Sequence, residues 1–343
     1  MWFFAGFFVL ATAVFFTRKM IRIYFMAYVS GMIIPASLFL YKMWAAGLFN
    51  QPAAYMSSRP FFNDHTSLGA ALAFCLPFLA GELFRKSTSL WYRIGVLTLL
   101  IVFIPAFILS YSRAAWLSLI VASLFWMVYR FRIPFKIVIP SLLSVIAVIA
   151  LSWSSIMIRL NENRNESSAD FGSHISSVAN ITTDASNLER INRWKSGLRM
   201  ASEKPLTGWG PGTYQFEYAP YQRASEKTII STNWGEGGNI HSEYLGALVD
   251  SGIPGFILYL ALVLLILYRG SIVYSNETDS ETRYLILGLM TGFVTYVVHG
   301  ALNNFLDTDK ISALFWGIAA AITALDIRHQ FDSEGNLSEG LQQ

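Results

Sequence analysis

Apolar residues in this chain fall in long runs separated by short polar or basic breaks, the pattern of membrane-spanning helices. Nine spans are predicted, at roughly 2–17, 23–44, 66–84, 94–111, 114–129, 137–157, 244–268, 284–302 and 311–327. The stretch from Ile94 to Tyr129 looks continuous, yet as one helix it would be about 54 Å long against a hydrocarbon core of about 30 Å. It must turn at its polar break, Ser110-Tyr111-Ser112-Arg113. The predicted fold is therefore all-α, a polytopic integral membrane protein. Its parts are six spans in 1–157, a long loop over 158–243, three spans in 244–327, and a tail, 328–343.

The loop is too long for a plain linker. Asn161 to Asp184 is rich in Asn, Ser and Glu and is expected to be mobile. Leu188, Ile191, Trp194, Leu198 and Ala201 then recur at helical spacing, which predicts a helix over about 186–204. Ser186 and Asn187 are its candidate caps and Pro205 its end. The apolar stripe could rest on the membrane surface or on the bundle. Gly208-Trp209-Gly210-Pro211-Gly212 forces tight turns after it. No internal repeat is visible.

Composition agrees with this picture. The chain has 343 residues, 54% hydrophobic and 14% charged, with a mean hydropathy of +0.45; soluble domains carry about a quarter charged residues. The placement of the basic residues gives the orientation. Arg18, Lys19, Arg22, Arg85, Lys86, Arg93, Arg130, Arg132, Lys136, Arg269, Arg283 and Arg328 all share one side if there are nine spans. By the positive-inside rule that side is cytoplasmic, which puts the N-terminus outside, the tail inside and the long loop outside. Met1 leads into Trp2-Phe3-Phe4 with no basic n-region or small-residue cleavage site, which argues against a signal peptide. The single cysteine, Cys75, excludes an intrachain disulfide. No Cys/His spacing suits zinc, and with basic residues placed between spans there is no nucleic-acid signal. No cofactor is predicted.

His241 stands where the polar loop runs into an apolar helix, in Gly238-Asn239-Ile240-His241-Ser242-Glu243, with Gly252-Ile253-Pro254-Gly255 beyond. An imidazole there can move protons near neutral pH. If the helix already includes His241, a turn of 100° per residue puts Leu248, Gly252, Gly255 and Tyr259 within about 40° of its face. Gly252 and Gly255 would then let a neighbouring helix approach closely. The plainer alternative is a histidine that caps or snorkels. Arg113, at a span-to-span turn, either snorkels or binds an anion such as phosphate. Arg190 and Arg193 lie off the apolar stripe, on a solvated face or against a second phosphate, and Arg59 could add to a basic rim. Asp250 is nine residues from His241, on the opposite helix face, and reads as a hydrogen-bonded packing residue. Asn303, Asn304, Asp307, Asp309 and His299 form ordinary helix-end chemistry, and no metal site is assigned. His65, His174 and His329 show no identifiable partners in the sequence.

These motifs resemble a known family. His241-Ser242, nine residues, then Gly252-Ile253-Pro254-Gly255 resembles the His-(Asn/Ser/Gln)-x9-Gly-x-x-Gly pattern of bacterial O-antigen ligases. Ser112-Arg113-Ala114-Ala115-Trp116 is similar to that family's outer turn. Arg190-Ile191-Asn192-Arg193-Trp194, with Lys204-Pro205-Leu206-Thr207-Gly208-Trp209-Gly210, is similar to its loop element. The resemblance covers about residues 57–327.

It implies a GT-C-like glycosyltransferase of the bacterial inner membrane, acting at the periplasmic face. The donor would be an undecaprenyl-diphosphate-linked glycan and the acceptor a glycan or lipid A-core hydroxyl. Arg113 and Arg190 would bind the diphosphate and His241 would be the base, in a metal-independent, inverting transfer. Arg193, Arg59 and Trp116 are further substrate-binding candidates. Relatives usually have more spans with both ends inside, so this chain reads as shortened at its start. A polysaccharide polymerase or a protein O-oligosaccharyltransferase are alternatives within the superfamily. A transporter, flippase or inactive scaffold are alternatives of another class; a transporter predicts ionisable residues at the bilayer midplane and repeated halves.

Overall fold

The computed structural model describes residues 2–152, 185–228, 231 and 238–340. Among the described residues the chain is helical, with no strand. The main helices are α1 (Trp2–Val14), α2 (Arg18–Ala45), α3 (Gln51–Ser57), α4 (His65–Leu83), α5 (Leu90–Leu109), α6 (Arg113–Arg130), α7 (Phe135–Leu151), α8 (Ala185–Glu203), α9 (Glu243–Asn276), α10 (Ser280–His299) and α11 (Asp309–Gly340). Five of these, α2, α4, α5, α9 and the Asp309–Phe331 part of α11, are long and apolar enough to cross a membrane. The protein is a multi-pass membrane protein.

The helix starts follow side-chain chemistry. Asp64 accepts the Ser67 N–H at 2.8 Å to cap α4, and Ser89 accepts the Tyr92 N–H at 3.2 Å to cap α5. The turn predicted after Ile94 lies at Ser110–Ser112, with Tyr111 in the left-handed region at φ 49°. Helix α3 had no sequence expectation. Helix α11 continues past residue 327 to Gly340. The end of the sixth predicted span, the Asn161–Asp184 stretch and His174 lie outside the described residues.

The chain forms two compact units. One comprises Met1–Phe125, Ala261–His299 and Phe305–Gln343; the other comprises Trp126–Leu260 and Gly300–Asn304. In the first, α4 and α10 form the centre. Phe74 stacks on Tyr296 with ring centroids 5.4 Å apart, and a side chain at Gly292 would sit 2.7 Å from the Phe74 carbonyl oxygen. The backbones therefore approach as closely as small residues allow. At one end of this unit Arg18 pairs with Glu277 (3.0 Å), Arg22 with Glu82 (3.2 Å) and Arg85 with Glu281 (3.2 Å). Arg269 pairs with Asp326 there, and His329 approaches Glu277 at 3.5 Å. His329 thus has a partner that the sequence did not reveal.

The second unit has its own small core. Met200, Ala201, Tyr214, Tyr218, Ile240 and Val249 are buried together, with Trp194, Trp209, Tyr221, Leu245 and Leu248 packed around them. The described part of the loop, from α8 onward, is therefore a folded element built on the first turns of α9. Of the predicted stripe, Ala201 is buried in this core and Trp194 packs on it, whereas Leu198 is exposed.

Candidate functional site

The segment that carries His241 is held by α8. The Arg193 guanidinium donates to the Asn239 carbonyl at 3.0 Å, and the Trp194 indole N–H donates to the His241 carbonyl at 3.3 Å. The His241 N–H in turn donates to Asn239 Oδ1 at 3.1 Å. His241 sits in the left-handed region at φ 54°, a conformation uncommon outside glycine and asparagine. Ser242 then caps α9, its hydroxyl accepting the Leu245 N–H at 3.3 Å. The Glu243 N–H donates to the Gly300 carbonyl at 2.7 Å, and Arg190 Nε donates to the Leu302 carbonyl at 3.2 Å. Arg190 and Trp194 are four residues apart, hence on one helix face. The helix that aims Arg190 is thus also the one that holds His241.

This geometry corrects the helical-face expectation. His241 is outside α9, which begins at Glu243, and Gly252 is not helical, with φ 69° and ψ −167°. Gly252 does not line a face toward a neighbouring helix; it is a break. A Cβ there would lie 2.6 Å from the Pro205 carbonyl oxygen, and one at Gly208 would lie 2.5 Å from the Asp250 carbonyl. The two glycine-bearing segments close on each other backbone to backbone. The Trp209 N–H donates to the Val249 carbonyl (2.8 Å), Gly210 to Asp250 (2.9 Å) and Ile253 to Pro205 (2.7 Å). Gly255 lies against Ser251 and Ala247 of its own segment, across the break, where a side chain would collide. Asp250 is hydrogen-bonded as expected, its carboxylate accepting the Gly212 N–H at 3.3 Å.

In the first unit, Arg113 is half-buried in the opening turn of α6. The turn before it is tightly made. Ser110 Oγ donates to the Phe107 carbonyl (2.7 Å), and Ser112 Oγ accepts the Ala115 N–H (3.4 Å). His65 Nδ1 meets the Ser110 carbonyl at 2.5 Å and stands edge-on to Tyr55. A carbonyl only accepts, so Nδ1 carries the proton. His65 therefore has partners and props the Arg113 turn. The Trp116 indole donates to the Phe107 carbonyl at 3.3 Å, which ties α6 back to α5. Arg59 is exposed, with Nε 3.5 Å from the Asn63 carbonyl.

Residues 98–260 match the family model described as O-antigen ligase. The match supports an O-antigen ligase-like assignment for that segment, just under half of the chain. The matched segment takes in the Arg113 turn, α8, His241 and the Gly252 break. A relative from Haemophilus influenzae (strain ATCC 51907 / DSM 11121 / KW20 / Rd), described as an uncharacterized protein, is 24% identical over 205 residues. The alignment covers 58% of this chain and 48% of the relative, so the chain spans about half the length of that curated protein.

The structure brings Arg190, Arg193 and His241 into one unit; Arg113, Arg59 and Trp116 belong to the other. Of the two settings expected for Arg193, a solvated face or a phosphate contact, it does not take the first. It is 7% exposed, pairs with Glu189 at 2.8 Å and lies over the Tyr218 ring. Glu189 and Trp194 were missed as site-building residues. The four-residue spacing of Glu189 and Arg193 on a predicted helix was the available signal for the first; an indole that binds a distant carbonyl leaves none. Among the described residues no group of three or more His, Cys, Asp or Glu side chains is placed to hold a metal.

Proposed function

We propose that this protein is a glycosyltransferase that moves a glycan from an undecaprenyl-diphosphate carrier to a hydroxyl acceptor of the lipid A-core type. The reaction would take place at the periplasmic face of the bacterial inner membrane, in a GT-C-like, nine-span architecture with the N-terminus outside. The observation that carries the reading is the common mounting of Arg190 and His241. One helix bears the cation and, through Trp194, holds the backbone of the imidazole. The ion pairs of Arg18, Arg22 and Arg85 at one end of the first unit support the proposed cytoplasmic side.

The chemistry needs positioning and charge stabilisation more than a covalent intermediate, because a diphosphate is already a good leaving group. In the proposed step the acceptor oxygen attacks the anomeric carbon while the bond from that carbon to the diphosphate oxygen breaks. The bonding pair leaves on the diphosphate, where Arg190, in the unit that carries His241, stabilises the growing charge. The acceptor proton passes to neutral His241. Attack opposite the leaving group inverts the anomeric centre, and the scheme is written without a metal ion.

The test is transfer by purified protein in proteoliposomes, supplied with a defined lipid-diphosphate glycan and a lipid A-core acceptor. His241→Ala and Arg190→Ala should insert normally and lose transfer; full transfer by His241→Ala would defeat the assignment. On the product gel, a ladder of lengthening glycan in place of core modification would favour the polymerase reading.

A further inference from the structure

The buried Glu189–Arg193 pair has no direct part in that step, yet both of its members are fully engaged. Glu189 is 3% exposed. Its Oε1 accepts Arg193 Nε at 2.8 Å, and its Oε2 accepts the hydroxyls of Thr228, at 2.8 Å, and Ser231. Arg193 uses its other edge on the Asn239 carbonyl, 3.0 Å away, and lies 5.2 Å from the Tyr218 ring centroid. Its guanidinium also fills the space where a side chain at Gly238 would stand. The pair is thereby tied to two stretches that precede His241 in the chain: through Glu189 to Thr228 and Ser231, and through Arg193 to Asn239. Asn239 then passes the constraint on, since its side-chain oxygen receives the His241 N–H.

A buried ion pair is a doubtful source of net stability, because desolvation offsets its attraction. What this one supplies is direction. The planar fork of arginine serves a carboxylate and a carbonyl at once, at fixed angles, which a lysine ammonium does not reproduce. The backbone it fixes includes a residue in the left-handed region. Such a conformation persists only where its surroundings over-determine it.

We infer that Arg193 and Glu189 are positioning residues that fix the backbone of residues 238–241, and with it the imidazole of His241, rather than ligands of a substrate phosphate. The inference rests on the proposed role of His241 for its kinetic consequence, and on geometry alone for its structural one. The experiment therefore has two arms on the full chain in proteoliposomes. In the first, diethyl pyrocarbonate modification of each histidine is followed by mass spectrometry across pH. Arg193→Lys keeps the charge while losing the fork, and should raise the modification rate of His241 several-fold and leave His329 unchanged. In the second arm, transfer kinetics should show kcat falling by about 10²-fold, the scale of a misplacement near 1 Å, with KM for the lipid diphosphate unchanged. Glu189→Gln should move both readouts in the same direction. An unchanged His241 modification rate in both variants would overturn the positioning role. A raised KM with intact kcat would overturn it too, and would make Arg193 a phosphate ligand. Absence of transfer by the unaltered protein would count against the proposed activity, while the modification arm would still decide the positioning role.

Discussion

Replacing Gly252 with alanine tests the backbone clamp between α9 and the turn after α8. At φ 69° and ψ −167° the residue occupies a region open almost only to glycine, so a side chain there costs about 1–3 kcal/mol in strain. The new Cβ would also meet three backbone atoms, the Pro205 oxygen at 2.6 Å and the Leu206 carbonyl carbon and oxygen at 2.7 and 2.8 Å. Backbone cannot swing aside as a side-chain end can, and overpacking of this kind adds about 1–3 kcal/mol. Together the two effects amount to roughly 4 kcal/mol. At about 3 °C per kcal/mol for a unit of this size, melting should fall by roughly 12 °C. Gly212→Ala is the internal control: its φ is also positive, at 74°, but nothing lies within 4 Å of the added atom. It should lose only the strain, about 1 kcal/mol, or roughly 3 °C. The assay is tryptic cleavage at Lys195, Arg199 and Lys204 during a temperature ramp on the purified full chain, read by mass spectrometry. Equal shifts for the two variants would refute the clamp, because strain alone would then account for both.

Glu82 is 2% exposed and accepts from both Arg22 and the Tyr92 hydroxyl. Glu82→Ala leaves Arg22 without its carboxylate and should destabilise the first unit by about 3 kcal/mol, measured as a lower thermal midpoint; a midpoint within error of the unaltered protein would contradict this. Desolvation acts to raise the Glu226 carboxyl, but hydrogen bonds and charge from Arg199 and Lys195 outweigh it and hold it below the ordinary carboxylate range. A carboxyl lowered on folding stabilises the fold above its unfolded pKa, and that contribution is lost as pH falls through the folded value. Acid titration of loop protease resistance should therefore be steeper for the unaltered protein than for Glu226→Gln over that acidic window. Identical profiles would show the pair to be without effect.

Much of the bundle was legible because membrane helices advertise themselves by length and by their basic flanks. The turn at Ser110–Arg113 followed from length alone, since no bilayer accommodates the run from Ile94 to Tyr129 as one helix. The helix over about 186–204 followed from spacing, and Pro205 could not continue it. The setting of His241 was not legible in the same way. Periodicity assumes that a helix continues, and it cannot show that Gly252 leaves the helical region or that His241 precedes the first turn. The glycines are expected to admit a neighbouring helix, whereas the body that closes on Gly252 is the backbone of Pro205–Leu206. The helix face of Arg193 leaves open a solvated setting or a phosphate contact; the loop residues that bury it come later in the chain and follow no period. His65 looked isolated for the same reason, its partner being a carbonyl, which sequence does not distinguish from any other.

The hydrogen bonds around His241 also have an order in time. Arg193 and Trp194 leave the ribosome before the histidine they hold, whereas Gly300 and Leu302, whose carbonyls receive the Glu243 N–H and Arg190, are made long after it. The site cannot be complete until α10 has been synthesised and the chain has turned beyond it. A nascent chain stalled earlier would hold Arg190 and His241 on α8 without the two carbonyls that brace Arg190 and the first turn of α9. Completion of this bracing is in this way tied to the late steps of biogenesis.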